Sequence, residues 1–346
     1  MKNIPKRILI TRTDRMGDVI LSTPVIRFMR KRFPEAYIVF MVRPENKDIV
    51  KNNPDLDKVI VYDKYGSHKS FIETVKFAWR IRRERFDTAI ALHPTNRAHM
   101  IMFLAGIPVR IGYDKNMGSL LTKRIPHEKQ KGERHETEYN RDMLIAAGFD
   151  VSGYDPKPYI FTSEEERKLV DSVEKSSGLG KEKIAFHAGA SCASKRWAPE
   201  RFAETADALG DLYGYDIILV GSDETSEYSS QIASRMKNRI TDLTGVLLLG
   251  ELVEMLSRCR LFVSNDSGPV HIAVAVGTPV ISIFGRNDPG LSPKRWGPIG
   301  DKDGILHKPP QCDVCMAHNC AKAFECLKAI TPQDVIKEAR RILGNA

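Results

Sequence analysis

No stretch of this 346-residue chain approaches the ~20 consecutive apolar residues that a membrane-crossing helix needs. The opening "MKNIPKRILITR" is basic, but its apolar run is only "ILI", too short for the core of a secretory signal. These two absences predict a protein that stays in the cytoplasm. The turn in "TRTDRMGDVILSTP" has no G-x-G-x-x-G, so the first half carries a poor dinucleotide fingerprint. Aromatic residues make up 8% and are little interleaved with the basic ones, which argues against a nucleic-acid module. Cysteine is missing from the first half altogether. All six cysteines lie in the second half, and a cytosolic setting argues against a disulfide framework there.

What is present describes a soluble, two-domain α/β protein. Hydrophobic residues make up 42% and charged residues 28%, a globular composition, and the length suits two domains of ordinary size. The net charge of +9 is unevenly placed. Residues 1–150 hold 29 Lys and Arg against 18 Asp and Glu, a net of +11, and the remainder is −2. A basic first half implies an anionic partner, either nucleic acid, a phosphorylated substrate or an acidic membrane surface, although a merely Lys/Arg-rich soluble surface gives the same count.

Short apolar runs suited to buried strands, "RILITR", "YIVFMV", "KVIVYD" and "TAIALH", alternate with helix-like segments in the first half. "VILSTPVIRFMRKRFP" reads as one amphipathic helix and "SFIETVKFAWRIRRERF" as another. The stretch "DVSGYDPKPYIFTSE" (150–164) is rich in turn residues and reads as the linker. Ser163 can then cap a new helix, with Glu166 three residues on. The alternation restarts with "KIAFHAG", "YDIILVGS", "RLFVSND" and "TPVISIFG" as strands. The expectation is two tandem, doubly wound Rossmann-like domains, 1–155 and 156–346, the second ending in a cysteine-containing segment and a helix. Ligands are expected at the carboxyl ends of strands, with a cleft between the domains as the default site.

Three loops at strand ends carry chemistry. In "SNDSGPVHIAVAVG" (264–277), Asp266 or Ser267 can cap a helix whose first turn tolerates Pro269, and Gly268 lets a ligand approach the backbone. Free N–H groups there suit a diphosphate, and His271 can donate to phosphate or ribose. In "HAGASCASKRW" (187–197), Ser191 is small and Lys195 supplies a mobile cation. In "VGSDETSE", Asp223 or Glu224 can accept from ribose hydroxyls. The first domain offers Gly17 and Asp18 at the opening of a helix, flanked by Arg12 and Arg15. Asp18 is either a helix-start carboxylate favoured by the dipole or, facing the cleft, a base for an acceptor hydroxyl.

Together, "TRTDRMGDVILSTPVIRFMR", "HAGASCASKRWAPERFAE" and "SNDSGPVHIAVAVGTPVISIFGRNDP" resemble the ADP-heptose:lipopolysaccharide heptosyltransferases of glycosyltransferase family 9, with the blocks in the family's order over nearly the whole chain. The resemblance implies a GT-B fold, with the acceptor held by the first domain and the sugar nucleotide by the second. It implies inverting transfer of heptose from ADP-L-glycero-D-manno-heptose to Kdo–lipid A or heptosyl-Kdo–lipid A, with no obligatory metal or other cofactor. On it, Asp18 resembles the catalytic base. Ser191, Lys195, Asp223 or Glu224, Asp266, Ser267, Gly268 and His271 resemble donor-site residues. Arg12, Arg15, Arg110 and His135 are assigned to a phosphorylated glycolipid acceptor by their charge in the first domain. The partners expected are that glycolipid, the ADP-sugar and the cytoplasmic face of the inner membrane, with no nucleic acid.

Cys312, Cys315, Cys320 and Cys326 form C-x2-C-x4-C-x5-C, a spacing that permits a tetrahedral structural zinc, with free thiols or a disulfide as the alternatives. Two other functions stay open on sequence. One is a sugar-nucleotide epimerase or another GT-B-like enzyme, which would turn over the nucleotide without an acceptor. The other is a basic nucleic-acid-binding protein, which would show steep salt dependence on duplex.

Overall fold

The short apolar runs become buried parallel strands. The computed structural model describes residues 4–308, 312, 315 and 317–344. The first unit runs to Gln130 and resumes at Arg134–Phe161, while the second takes Lys131–Glu133 and the chain from Thr162 onward. In the first unit the strands are β1 (Arg7–Thr11), β2 (Tyr37–Val42), β3 (Lys58–Val61), β4 (Thr88–Ala91), β5 (Val109–Tyr113) and β6 (Lys123–Ile125), in the order β3-β2-β1-β4-β5-β6. In the second they are β7 (Lys183–His187), β8 (Asp216–Leu219), β9 (Thr241–Asp242), β10 (Leu261–Asn265), β11 (Val280–Phe284) and β12 (Gly304–His307), in the order β12-β11-β10-β7-β8-β9. Every pairing is parallel, as βαβ crossovers require. The fold is thus α/β with two six-stranded sheets.

Each sheet is covered by the apolar stripes of its own helices. In the first unit Leu9, Val39 and Met41 pack with Phe77, Ile81 and Ile101 from the helices Phe71–Arg83 and Asn96–Leu104. In the second, Phe186, Leu219 and Ile283 meet Phe202 of the helix Pro199–Tyr213 and Val335 of the C-terminal helix Pro332–Leu343. Trp197 is 1% exposed and keeps its indole N–H satisfied by the Ile330 carbonyl at 2.9 Å.

The helix Glu164–Ser177 starts with a capping box between Ser163 and Glu166 and stops at Gly178, whose φ of +66° suits glycine. The single helix expected over "VILSTPVIRFMRKRFP" is instead two, Met16–Ile20 and Thr23–Arg32. Pro24 has no N–H to return to the Ile20 carbonyl, so the ladder breaks there. Thr23 Oγ1 donates to that carbonyl at 2.8 Å and replaces the missing bond.

Candidate functional site

Both sheets are wound alike, and the direction of winding reverses between β1 and β4 and between β7 and β10. In open parallel sheets, ligands bind beyond the carboxyl ends of the strands at such a switch point. In the first unit these ends lead into Arg12–Asp14 and Leu92–His93. In the second they lead into Ala188–Gly189 and Asp266–Ser267.

Arg12 is the hub of the first unit's loop cluster. It is 2% exposed, and its Nε donates to Asp14 Oδ1 at 2.9 Å. One terminal nitrogen reaches both Asp18 Oδ1 and Glu136 Oε1, the latter at 3.0 Å, and the other donates to the Leu92 carbonyl at 3.1 Å. Glu136 is wholly buried and also pairs with Lys129. Burial opposes the Arg12 charge, yet the carboxylates of Asp14, Asp18 and Glu136 hold its pKa well above the ordinary value. The donors of Arg12, expected to serve an acceptor, are engaged within this cluster by Asp14, Asp18, Glu136, the Leu92 carbonyl and Asn140.

Asp18 sits in the first turn of the helix Met16–Ile20 with its side chain 14% exposed. Burial and the neighbouring Asp14 push its pKa up to about 6, against the pull of Arg12. Such a carboxylate is ionised at neutral pH and basic enough to take a proton there. His93, just beyond β4, places Nδ1 3.2 Å from Asp14 Oδ2 but outside hydrogen-bonding geometry. Burial, reinforced by Arg12, lowers its pKa to about 4, so the ring is neutral at working pH.

Of the other expected acceptor residues, Arg15 is exposed and precedes the Asp18 helix. Arg110 lies near the amino end of β5, where its guanidinium donates to the carbonyls of Leu120, at 2.7 Å, and Ile107. The structure does not bring it to the Arg12 cluster. His135 is the N-cap of the helix Glu136–Ala146, where its Nδ1 accepts from Thr137 N at 3.3 Å and lies 2.8 Å from Thr137 Oγ1. That ring caps the helix that carries Glu136. Asp14, His93, Lys129 and Glu136 were not expected from sequence. Asp14 and His93 could have been found from their places just past β1 and β4, whereas nothing local marks Glu136.

In the second unit Asp266 is clamped by two cations, Lys195 Nζ at 2.8 Å and Arg286 at 3.0 Å, both on Oδ2. Asn265 fixes the loop that carries Lys195, accepting from Trp197 N at 3.0 Å and donating to the Ala188 carbonyl at 2.7 Å. The cluster lies beside the start of the helix Gly268–Val276, with Pro269 in its first turn. Ser267 occupies the N-cap position but does not cap. Its hydroxyl faces Ser264 Oγ at 3.0 Å and His187 Nδ1 at 3.3 Å. Burial lowers the His187 pKa to about 4, so this chain of hydroxyls and imidazole is neutral.

Ser191, Asp223 and Glu224 are exposed on strand-end loops, and Gly268 opens the helix on which His271 lies 4% exposed. Gly189 has no room for a side chain, since a Cβ would strike Thr225 and lie 2.8 Å from His187 Nε2. The β7 loop therefore packs against the turn that carries Asp223 and Glu224. Arg286 and Asn265 are further site residues not expected from sequence. Arg286 follows the carboxyl end of β11, a position that could have drawn attention to it.

Cys312, Cys315, Cys320 and Cys326 are free thiols, and no group of three or more His, Cys, Asp or Glu able to hold a metal occurs among the described residues. Backbone N–H groups of Asn287 and Phe324 donate to the sulfurs of Cys315 and Cys320 at 3.4 Å.

Comparison with known proteins places these features in a family. Residues 74–324 match glycosyltransferase family 9 (heptosyltransferase). Lipopolysaccharide heptosyltransferase 2 of Salmonella typhimurium is 26% identical, the alignment covering 98% of this chain and 99% of that one. Lipopolysaccharide heptosyltransferase 2 of Escherichia coli is 24% identical over 97% of this chain and 98% of its own. The crystal structure of a family 9 glycosyltransferase from Veillonella parvula superposes with a TM-score of 0.87 at 27% identity, covering 98% of this chain and 97% of that one. With a family match over most of its length and the sheet order and strand-end clusters described above, the chain belongs to glycosyltransferase family 9 and is a glycosyltransferase.

Proposed function

We propose that the protein is an inverting heptosyltransferase of lipopolysaccharide core assembly. It moves heptose from ADP-L-glycero-D-manno-heptose to Kdo–lipid A or heptosyl-Kdo–lipid A. The observation that carries this reading is the pairing of Lys195 and Arg286 around Asp266 at a helix N-terminus, a cationic seat for a leaving diphosphate. The 1–155 segment is the acceptor domain and the 156–346 segment the donor domain.

In the reaction, the acceptor hydroxyl attacks the anomeric carbon from the face opposite ADP. Its proton passes to Asp18 as the new glycosidic bond forms and the bond to the diphosphate oxygen breaks. The charge that develops on that oxygen is met by Lys195, Arg286 and the N–H groups at the start of the helix Gly268–Val276. Arg12 holds Asp18 in place, and Glu136, itself paired with Lys129, holds Arg12. No metal or other cofactor has a step in this scheme. Asp223 or Glu224, at the end of β8, takes the ribose, and Arg15 the acceptor's anionic groups. No helix among the described residues is long and apolar enough to cross a membrane. On this reading the enzyme meets its lipid acceptor as a peripheral protein at the cytoplasmic face of the inner membrane.

Mass spectrometry of products from ADP-heptose with Kdo–lipid A and with heptosyl-Kdo–lipid A tests the reading. One added heptose on either acceptor, with release of ADP, is expected. Release or epimerisation of the sugar without acceptor, or transfer only from a different sugar nucleotide, refutes it.

A further inference from the structure

The helix Phe71–Arg83 in the first unit is amphipathic in an unusual sense. Its inward stripe, Thr74, Phe77, Ala78 and Ile81, is buried against the core at the spacing of one helical face. Its outward side is not simply polar. Phe71 is 67% exposed, Ile72 65% and Trp79 63%, and Tyr65 in the preceding loop is 67% exposed. Ile72, Lys76, Trp79 and Arg83 follow one another at steps of four, three and four residues, so apolar and cationic side chains share one stripe. From Ile72 to Trp79 that stripe is roughly 10 Å long.

The charge around it is mostly positive. Residues 63–85 hold seven Lys and Arg against three Asp and Glu. The three acids are already engaged, Asp63 by the backbone of Gly66 and Ser67, Glu73 by Lys76, and Glu84 by Arg7 and Lys58. The loop before the helix is fixed by Arg97, which donates to the carbonyls of Lys64 and His68 at 3.0 Å each. The ring of Tyr65 lies under Arg43 at 4.8 Å and Lys64 at 5.0 Å. Lys64 also donates to the Thr13 carbonyl at 3.0 Å, which ties this loop to the one that carries Arg12 and Asp14.

We infer that this face, Tyr65 with the outward side of Phe71–Arg83, is a docking surface for an anionic lipid bilayer. Aromatic and aliphatic bodies flanked by Lys and Arg match the headgroup layer, where the bodies enter the acyl boundary and the cations stay at the phosphates. The charge selects the occupant, because a surface with an excess of free cations is complementary to an anionic leaflet and not to a neutral one. The direct tie between Lys64 and Thr13 sets the face beside the Asp18 loop, so an acceptor anchored in that leaflet is delivered there. That last point rests on the glycolipid reading above, whereas the chemistry of the surface does not.

The test uses the full chain and vesicles of phosphatidylethanolamine with phosphatidylglycerol, against phosphatidylcholine vesicles, in a sedimentation assay. Binding to the anionic vesicles is expected, weakening as salt rises. Ile72→Gln with Trp79→Gln should lower partition about tenfold or more, from the lost apolar contact. Lys76→Gln, Arg80→Gln and Arg83→Gln together should lower it roughly a hundredfold, at about fivefold per cation. These side chains are exposed, so both sets should melt like wild type and keep turnover on a detergent-dispersed acceptor. Vesicle binding equal to wild type in both sets overturns the inference, as does wild-type protein that binds neither vesicle. Retention on duplex nucleic acid in place of vesicles, lost with the same cations, overturns it too. Normal vesicle binding with no sugar transfer to any lipid acceptor leaves the surface standing and refutes the functional reading instead.

Discussion

Asp18→Asn separates catalysis from stability, because the two should move in opposite directions. The substitution keeps the size of the side chain and an oxygen for Arg12, but it removes the group that takes the acceptor's proton. A positioned base contributes about 10²–10⁴ in rate, so turnover should fall by that factor while ADP affinity stays near wild type. In the wild type, the rate should rise with pH through about 6 and level off above it, since Asp18 must be ionised. His93 and His187 are both lowered to about 4 and stay neutral over that range, so they add no step there. Stability follows the same titration with the opposite benefit. The folded-state pKa of Asp18 lies above its unfolded value, so ionisation favours the unfolded chain. The stability contributed by the protonated form is full below about pH 4 and is lost as pH rises through about 6. A carboxylate raised from 3.8 to about 6 costs on the order of 3 kcal/mol once ionised. Asn carries no such cost, although it pairs more weakly with Arg12. Asp18→Asn should therefore melt several degrees higher than wild type at pH 8, at about 2–4 °C per kcal/mol, with the gap closing by pH 4. Turnover assays across pH 5–9 and melting curves at pH 4 and 8 check both halves. Near-normal turnover with saturating acceptor, or a lower melting temperature at pH 8, would refute the reasoning.

The remaining tests address the rest of the two clusters. Lys195→Ala and Arg286→Ala should each weaken ADP by about tenfold to a hundredfold in calorimetry, as lost charge-assisted contacts do, and unchanged affinity in both would remove the diphosphate seat. Glu136→Gln takes a buried partner from Arg12 and Lys129 and should cost on the order of 3 kcal/mol in denaturant unfolding. It also removes a negative charge that raises the Asp18 pKa, so the midpoint of the pH–rate profile should move below about 6; an upward movement would contradict the network. Gly189→Ala forces a Cβ toward Thr225 and His187, so melting temperature and ADP affinity should fall together, and a variant that loses neither would show that the loop has room to give.

How far the sequence could be read follows from which forces act locally. Central strands such as β1, β2, β7 and β10 are buried along most of their length, and their apolar runs declare them. Of the outer strands, β3 still shows an apolar run, but β6 and β9 do not. β6 is the three residues "KRI" and β9 the two residues "TD", and both are held by a parallel neighbour, with no pattern of their own. The same division applies to the sites. Strand ends and helix starts put Asp18, Lys195 and Asp266 in loops that local chemistry could mark. What those side chains touch is decided by topology. Arg12 meets Glu136 across 124 positions, and Lys195 meets Asp266 because β7 and β10 are neighbours in the sheet. Charge alone also failed to say which end of a strand a cation serves. Arg110 and Arg12 are both arginines at the border of a strand, but one lies at the amino end of β5 and binds local carbonyls. The other leaves the carboxyl end of β1, where the winding of the sheet reverses and backbone and side chains from several elements converge. An arginine buried there with three carboxylates loses its role as a surface cation and becomes the part that holds Asp18 and limits how far burial and Asp14 raise its basicity.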